Sequence, residues 1–220
     1  MLDREKLRNA DLKNIFGHLE CTKYQTEEEL QRSMHEMLAQ NPHPDQPIWV
    51  FAYGSLIWNP VIEFAERKKA FLPEWQRAFC MKLLGGRGSE KAPGRMLALV
   101  PGDGVTGVAY RLHPDNLCSE LHLIWKREMC TKSYIPLWAD VVLEDNTTAN
   151  ALVFVMRECD PTYDRNAEVN HVAPFILQAQ GPLGRNVDYV SKLQSALNLE
   201  GIMDHYIECL SNHLKALDIN

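Results

Sequence analysis

The chain has 220 residues, 45% hydrophobic and 24% charged, and its 23 Lys and Arg against 29 Asp and Glu give a formal net charge of −6. This is a globular composition, at a length suited to one domain or two small ones. The acidic balance excludes a general nucleic-acid binder, which presents a basic face, and no apolar run approaches the roughly 20 residues that cross a bilayer. The opening residues, MLDREKLRNADLKNIF, carry acids and lack the apolar stretch of a signal peptide, so a cytoplasmic location is expected. Residues 1–40 read as helical and polar. Leu7, Leu12, Ile15, Phe16 and Leu19 form an apolar stripe, and Thr26 with Glu29 forms a capping box that opens a second helix. The segment 41–47 (NPHPDQP) breaks that pattern, so residues 1–47 are expected to be a helical extension packed on a main unit, 48–220.

From Ile48 the texture changes. IWVFAYGS is apolar, β-branched and aromatic before its Gly-Ser, which predicts a buried strand ending in a loop. Further strands are expected over 76–83, 94–100, 105–111, 137–143 and 149–156, separated by the turn signals GGRG (85–88), PGDG (101–104) and EDN (144–146). Helices are expected from Asp115 to about 129, then near 166–180, 186–200 and 202–217. Mostly antiparallel strands with interspersed helices make the fold class α+β.

Cys21, Cys80, Cys118, Cys130, Cys159 and Cys209 are scattered without a C-x-x-C pair, and the 8 His show no metal-ligand spacing. Neither a disulfide framework nor a metal site is expected, and Cys80, Cys118 and Cys130 read as buried hydrophobes.

One helix breaks its own pattern. In residues 116–129 (NLCSELHLIWKREM) the apolar positions Leu117, Leu121, Ile124 and Trp125 share a face. The next position on that face is Glu128, while Lys126 and Arg127 point elsewhere. A buried acid is either paired or protonated part of the time. Position alone admits a structural ion pair, a helix end in solvent, or a general base with a raised pKa.

Other candidates are weaker. Tyr53-Gly54-Ser55-Leu56 follows a strand; it is either an ordinary turn or a backbone nest for an anion. Ser55 does not sit in a nucleophile elbow. The loop at Gly85–Ser89 lacks the P-loop Lys; it either presents Arg87 to a carboxylate or is plain surface. The segment 181–184 reads as a turn before a helix. Tyr163, in DPTYDRN, is either a ligand contact or a loop anchor.

Together, WVFAYGSLIW (49–58), RGSEKAPGRMLAL (87–99), GVAYRL (107–112), WKREM (125–129), NALVFVM (150–156) and GPLGRNVDYV (181–190) resemble the ChaC-type, glutathione-specific γ-glutamylcyclotransferases in order and spacing. The helical extension resembles the bacterial form. The resemblance implies a γ-glutamylcyclotransferase-like fold, a small mixed β-sheet or barrel surrounded by helices. It implies cleavage of glutathione to 5-oxoproline and cysteinylglycine, with no metal or organic cofactor. The family's catalytic glutamate corresponds to Glu128, and its substrate loop to Tyr53, Gly54, Ser55 and Leu56 with Phe51 and Ala52 before them. Tyr163 matches a loop tyrosine many members share. Arg87 is a candidate fork for a substrate carboxylate. Three readings compete with this one: a cyclotransferase for other γ-glutamyl amino acids or amines, whose families continue Y-G-S with Asn where this chain has Leu56; a non-catalytic γ-glutamyl-binding or transport-associated protein; and a peptide-cleaving cysteine enzyme, for which no Cys–His motif is visible.

Overall fold

The structure is a computed structural model that describes residues 3–9, 11–17 and 23–218. Leu19 of the N-terminal stripe and Cys21 lie outside the described residues.

A five-stranded barrel forms the centre. Its order is β1 (Trp49–Ala52), β5 (Val105–Arg111), β2 (Glu66–Leu72), β6 (Tyr134–Leu143) and β7 (Thr148–Met156). β7 closes the barrel by pairing parallel to β1 (Trp49 opposite Ala151), and the other pairs are antiparallel. A separate hairpin, β3 (Trp75–Leu83) with β4 (Gly94–Pro101), packs beside it. β8 (Gln180–Gly181) and β9 (Gly184–Arg185) form a two-residue ladder around the expected turn.

The strands predicted by apolar alternation appear where expected; β2 escapes that pattern. Its sequence, ERKKAFL, reads as a charged surface segment, yet it lies between β5 and β6. Partners distant in sequence satisfy its charges: Glu66 accepts from the neighbouring strand's Arg111 at 2.8 Å, and Arg67 forks onto Glu200, outside the barrel, at 2.9 and 2.6 Å. Opposite-charge pairs of this kind support a strand that apolar periodicity does not mark.

The N-terminal residues form three helices, α1 (Arg4–Asn9), α2 (Leu12–Phe16) and α3 (Glu27–Ala39). The first two are separate because Asp11 caps Lys13 N at 3.0 Å and starts a new helix. α3 opens with the predicted capping box, Thr26 and Glu29 satisfying each other's backbone N–H. These helices are tied to the rest at specific points. Trp125 Nε1 donates to Ser33 Oγ at 2.9 Å, and Trp138 Nε1 donates to Met37 O at 2.9 Å.

After the barrel strands come α5 (Val169–Gln178), α6 (Asn186–Leu199) and α7 (His205–Asp218), while α4 (Leu117–Glu128) lies between β5 and β6 in sequence. α4 packs through Trp125, whose ring meets Phe154 of β7 edge-on at 5.4 Å. Among the described residues, no helix is long and apolar enough to cross a membrane.

Candidate active site

α4 is buried on more than one face, which corrects the amphipathic reading. Besides Leu121, Ile124 and Trp125, its residues Glu120, Lys126 and Arg127 are also buried. The helix also carries two acids in opposite circumstances, Glu120 buried and Glu128 with its side chain 16% exposed. Glu120 accepts a bidentate fork from Arg4 at 2.6 and 2.8 Å and the Glu63 N–H at 2.7 Å. Although burial works against it, this set of donors holds its carboxyl below the usual range. Glu128, two turns on, has its charge opposed by burial and relieved by Arg127, whose Nε lies 3.1 Å from Oε1. Burial dominates, so the Glu128 carboxyl is pushed up and its carboxylate holds a proton more strongly than a solvated one.

Glu128 opens into a cavity of about 440 Å³, a size suited to a small peptide. Ser55, Arg127, Tyr134 and Tyr189 share its lining. Burial and the nearby Glu128 charge together raise the phenols of Tyr53, Tyr134 and Tyr189, so they stay protonated at neutral pH. A hydroxyl-lined pocket beside one carboxylate of raised proton affinity can accept a proton from a cationic amine and donate hydrogen bonds to a carbonyl.

The loop after β1 is fixed from several directions. Arg77, on β3 and 5% exposed, donates to Tyr53 O and Thr106 O at 2.7 Å and to Asp204 at 2.8 Å. Tyr110 donates to Leu56 O at 3.0 Å. Arg127 donates to Ser55 Oγ and to Asn59 O, both at 2.5 Å. Gly54 is required for close approach, since a Cβ there would stand 3.0 Å from the Tyr189 hydroxyl and 3.3 Å from Leu97 Cδ2. Tyr189 is presented by α6. That helix starts at the fully buried Asn186, which accepts from Arg95 N at 2.7 Å and donates to Arg95 O at 3.0 Å. Edge-on contacts with Trp58 at 5.4 Å and Phe79 at 6.1 Å orient the Tyr189 ring.

The sequence candidates separate in space. Glu128, Ser55 and Arg87 line the cavity. Arg87 is held by Arg185 O at 2.8 Å, in a loop that turns at Gly86 with φ +63°, and burial lowers its pKa. Phe51 and Ala52 are fully buried in β1, and Tyr53 and Leu56 are also buried. Tyr163 lies outside the lining and pairs its backbone with Met81, although its neighbours Asp160, Pro161 and Thr162 contribute to the wall.

The helical wheel points Arg127 away from the site; in the structure it joins the site, because the residue before Glu128 turns toward the loop after β1. Cys118, expected to be buried, is exposed; Cys80 is buried, and Cys130 lines the cavity. Sequence reading also missed Arg77, Tyr134 and Tyr189. They come from three separate elements, and only the WKREM and GPLGRNVDYV blocks hinted at Arg127 and Tyr189. No group of three or more His, Cys, Asp or Glu among the described residues is placed to hold a metal ion.

A family model for ChaC-like proteins matches residues 48–217. A glutathione-specific γ-glutamylcyclotransferase of Escherichia coli (strain K12) is 43% identical over 217 residues, covering 99% of this chain and 94% of that relative. Glutathione-specific γ-glutamylcyclotransferase 1 of Homo sapiens is 30% identical over 170 residues, covering 74% of this chain and 77% of the human one. Among solved structures, the selenomethionine-labelled γ-glutamyl cyclotransferase specific to glutathione from yeast aligns with a TM-score of 0.71 at 21% identity. That alignment spans 78% of this chain and 97% of the yeast chain, and it identifies the fold as the γ-glutamylcyclotransferase type. By the extent of the family match and the near full-length relative, the chain belongs to the family of ChaC-like proteins.

Proposed function

We propose that the protein degrades glutathione by cyclising its γ-glutamyl group, releasing 5-oxoproline and cysteinylglycine, with Glu128 as the general base. The observation that carries the chemical part is the Glu128 carboxyl at the wall of a peptide-sized cavity, partly exposed to it and with its proton affinity raised by desolvation. The substrate part is supported by the near full-length relative, which bears this activity in its name.

In glutathione the glutamyl α-amine must attack its own side-chain γ-carbonyl carbon. At neutral pH that amine is mostly ammonium, and its lone pair is unavailable. Glu128 accepts one proton, and the free amine closes a five-membered lactam. The γ-carbonyl oxygen takes negative charge in the tetrahedral stage. The bond from the carbonyl carbon to the cysteinyl nitrogen then breaks as Glu128 returns its proton to that nitrogen; the attacking nitrogen gives up its second proton, so it ends as the lactam N–H and the released cysteinyl amine ends as ammonium. Atoms balance without water, and no covalent enzyme intermediate forms. Because the attack is intramolecular, holding the glutamyl chain folded back supplies several kcal/mol of the acceleration.

Backbone N–H groups of the 53–56 turn, with the protonated Tyr134 and Tyr189, are the donors proposed for the oxyanion or the α-carboxylate. Ser55, fixed by Arg127, shapes that turn. Arg87 is proposed as a contact for a substrate carboxylate. The free thiols fit a reducing cytoplasmic setting.

The test is direct. Purified protein incubated with reduced glutathione is expected to yield equimolar 5-oxoproline and cysteinylglycine by mass spectrometry, with γ-glutamyl-alanine turned over poorly. Absence of 5-oxoproline refutes the reading, and faster turnover of γ-glutamyl-alanine reassigns the substrate.

A further inference from the structure

The main body of the cavity comes from the barrel and its helices, but part of its wall comes from elsewhere. Phe16, Lys23, Tyr24, Gln25 and Glu29 also line it, and they precede the family match, which begins at residue 48. These residues grip the catalytic half at two places. On one side, Gly86 N–H of the Gly85–Gly88 loop donates to Phe16 O at 2.8 Å. On the other, Gln25 engages the three residues that directly follow Glu128. Its Nε2 donates to Met129 O at 2.6 Å and Thr131 O at 3.3 Å, and its backbone N–H donates to Cys130 O at 2.9 Å. The Tyr24 hydroxyl joins the two grips by donating to Gly17 O at 2.9 Å.

α4 ends at Glu128, and a helix end leaves its last carbonyls without partners inside the helix. The chain leaving that end is held by protein: the carbonyls of Met129, Cys130 and Thr131 all accept from Gln25, which comes from a different part of the sequence. Gln25 is itself 7% exposed, so this is a buried polar contact with fixed geometry. We propose that this N-terminal wall is part of the catalytic apparatus and that Gln25 is a positioning residue for Glu128, fixing the backbone immediately after it and excluding water from its carboxyl. The inference rests on the reading of Glu128 as the base.

The groups that face Glu128 from every side define what a displacement would change. Arg127 favours its charge, while Cys130, Tyr53, Tyr134 and Tyr189 surround it as protonated neighbours. Lys23 and Glu29 share the cavity from the N-terminal side, and Lys82, Arg87, Lys132, Asp160 and Lys192 share it from its other walls. If the wall loosens, water reaches Glu128, the desolvation that dominates its environment weakens, and its proton affinity falls.

The experiment compares Gln25→Met, which keeps the volume and removes the side-chain donors, with Met34→Ala, which weakens α3 at a buried core position that does not line the cavity. Steady-state kinetics with glutathione are measured from pH 4.5 to 9, at a temperature where circular dichroism shows each variant folded. For Gln25→Met, kcat is expected to fall about tenfold with KM changed less than twofold, and the acidic limb of the pH profile moves to lower pH. Met34→Ala keeps the wild-type profile at its lower melting temperature. A folded Gln25→Met with wild-type kcat and acidic limb overturns the inference, as does Met34→Ala reproducing the same kinetic change. Gln25→Asn, one methylene shorter, carries the same two outcomes if the methionine variant does not fold. Failure of the wild-type protein to form 5-oxoproline would instead refute the functional reading, so the two failures are distinguishable.

Discussion

Two glutamates on one helix give opposite predictions, and comparing them tests the assignment of the base. Glu128→Gln removes the proposed proton acceptor but keeps size and most hydrogen bonding. General-base contributions of roughly 10²–10⁴ correspond to about 3–5 kcal/mol of activation energy, so kcat is expected to fall by at least about 10². The stability sign follows from burial. Glu128 has a folded pKa above its unfolded value, so the folded chain binds the proton more strongly. Below the ordinary carboxylate range both states are protonated and nothing is gained or lost. As pH rises through the interval from the unfolded to the raised folded value, the buried charge forms and stability is lost. At neutral pH the Glu128→Gln variant is therefore expected to melt higher than wild type, and the difference closes toward pH 4. Glu120→Gln reverses both outcomes. It weakens contacts of 2.6, 2.8 and 2.7 Å made by a side chain only 2% exposed. Breaking a buried pair costs about 3–5 kcal/mol, reduced here to about 2–3 because Arg4 can turn toward water. At roughly 2–4 °C per kcal/mol for a chain of this size, the melting temperature drops by about 4–12 °C. Glu120 has a folded pKa below its unfolded value, so its contribution is present above the unfolded pKa and is lost as pH falls through the folded one. Turnover per folded molecule stays at the wild-type level. The assays are 5-oxoproline formation and thermal melts across pH. A folded Glu128→Gln with more than a tenth of wild-type kcat, or a Glu120→Gln that loses turnover without losing stability, refutes the assignment.

Three further outcomes follow from the same geometry. Arg127→Ala removes the donors to Ser55 and Asn59 and the cation that relieves Glu128; kcat/KM is expected to fall, and the acidic limb of its pH profile moves to higher pH, opposite to Gln25→Met. Gly54→Ala forces the Tyr189 hydroxyl away from a Cβ at 3.0 Å, at an overpacking cost of about 1–3 kcal/mol, seen as a lower melting temperature and reduced turnover. Cys130 and Cys80 have thiols pushed up to about 12 by burial, whereas Cys118 and Cys159 are exposed. Iodoacetamide at pH 7.5 is therefore expected to label Cys118 and Cys159 first and leave turnover intact; peptide mapping that finds Cys130 labelled first contradicts this.

Much of the molecule was legible in the chain because its signals are local. Turn residues and apolar alternation placed most strands, and Thr26 with Glu29 announced the start of α3 through a contact spanning one helical turn. Helical periodicity alone marked Glu128 as an acid in an apolar stripe. β2 was not legible, because its charges are satisfied by Arg111, Glu200 and Asp145, far away in sequence. Arg127 was misread for a related reason: a helical wheel assigns one buried face, and α4 is enclosed on several.

The sequence by itself determined the α+β class, the family resemblance and the acid at position 128, since each depends on residue identity and short spacing. Only the tertiary structure decided what surrounds that acid. Desolvation is a property of everything packed within a few ångströms, and here the loop after β1, β6, α6 and the N-terminal segment meet around the cavity that holds one carboxyl. Glu120 and Glu128 differ little as letters in a helix. Arg4 reaches one and a peptide-sized cavity opens beside the other, which gives them opposite proton affinities.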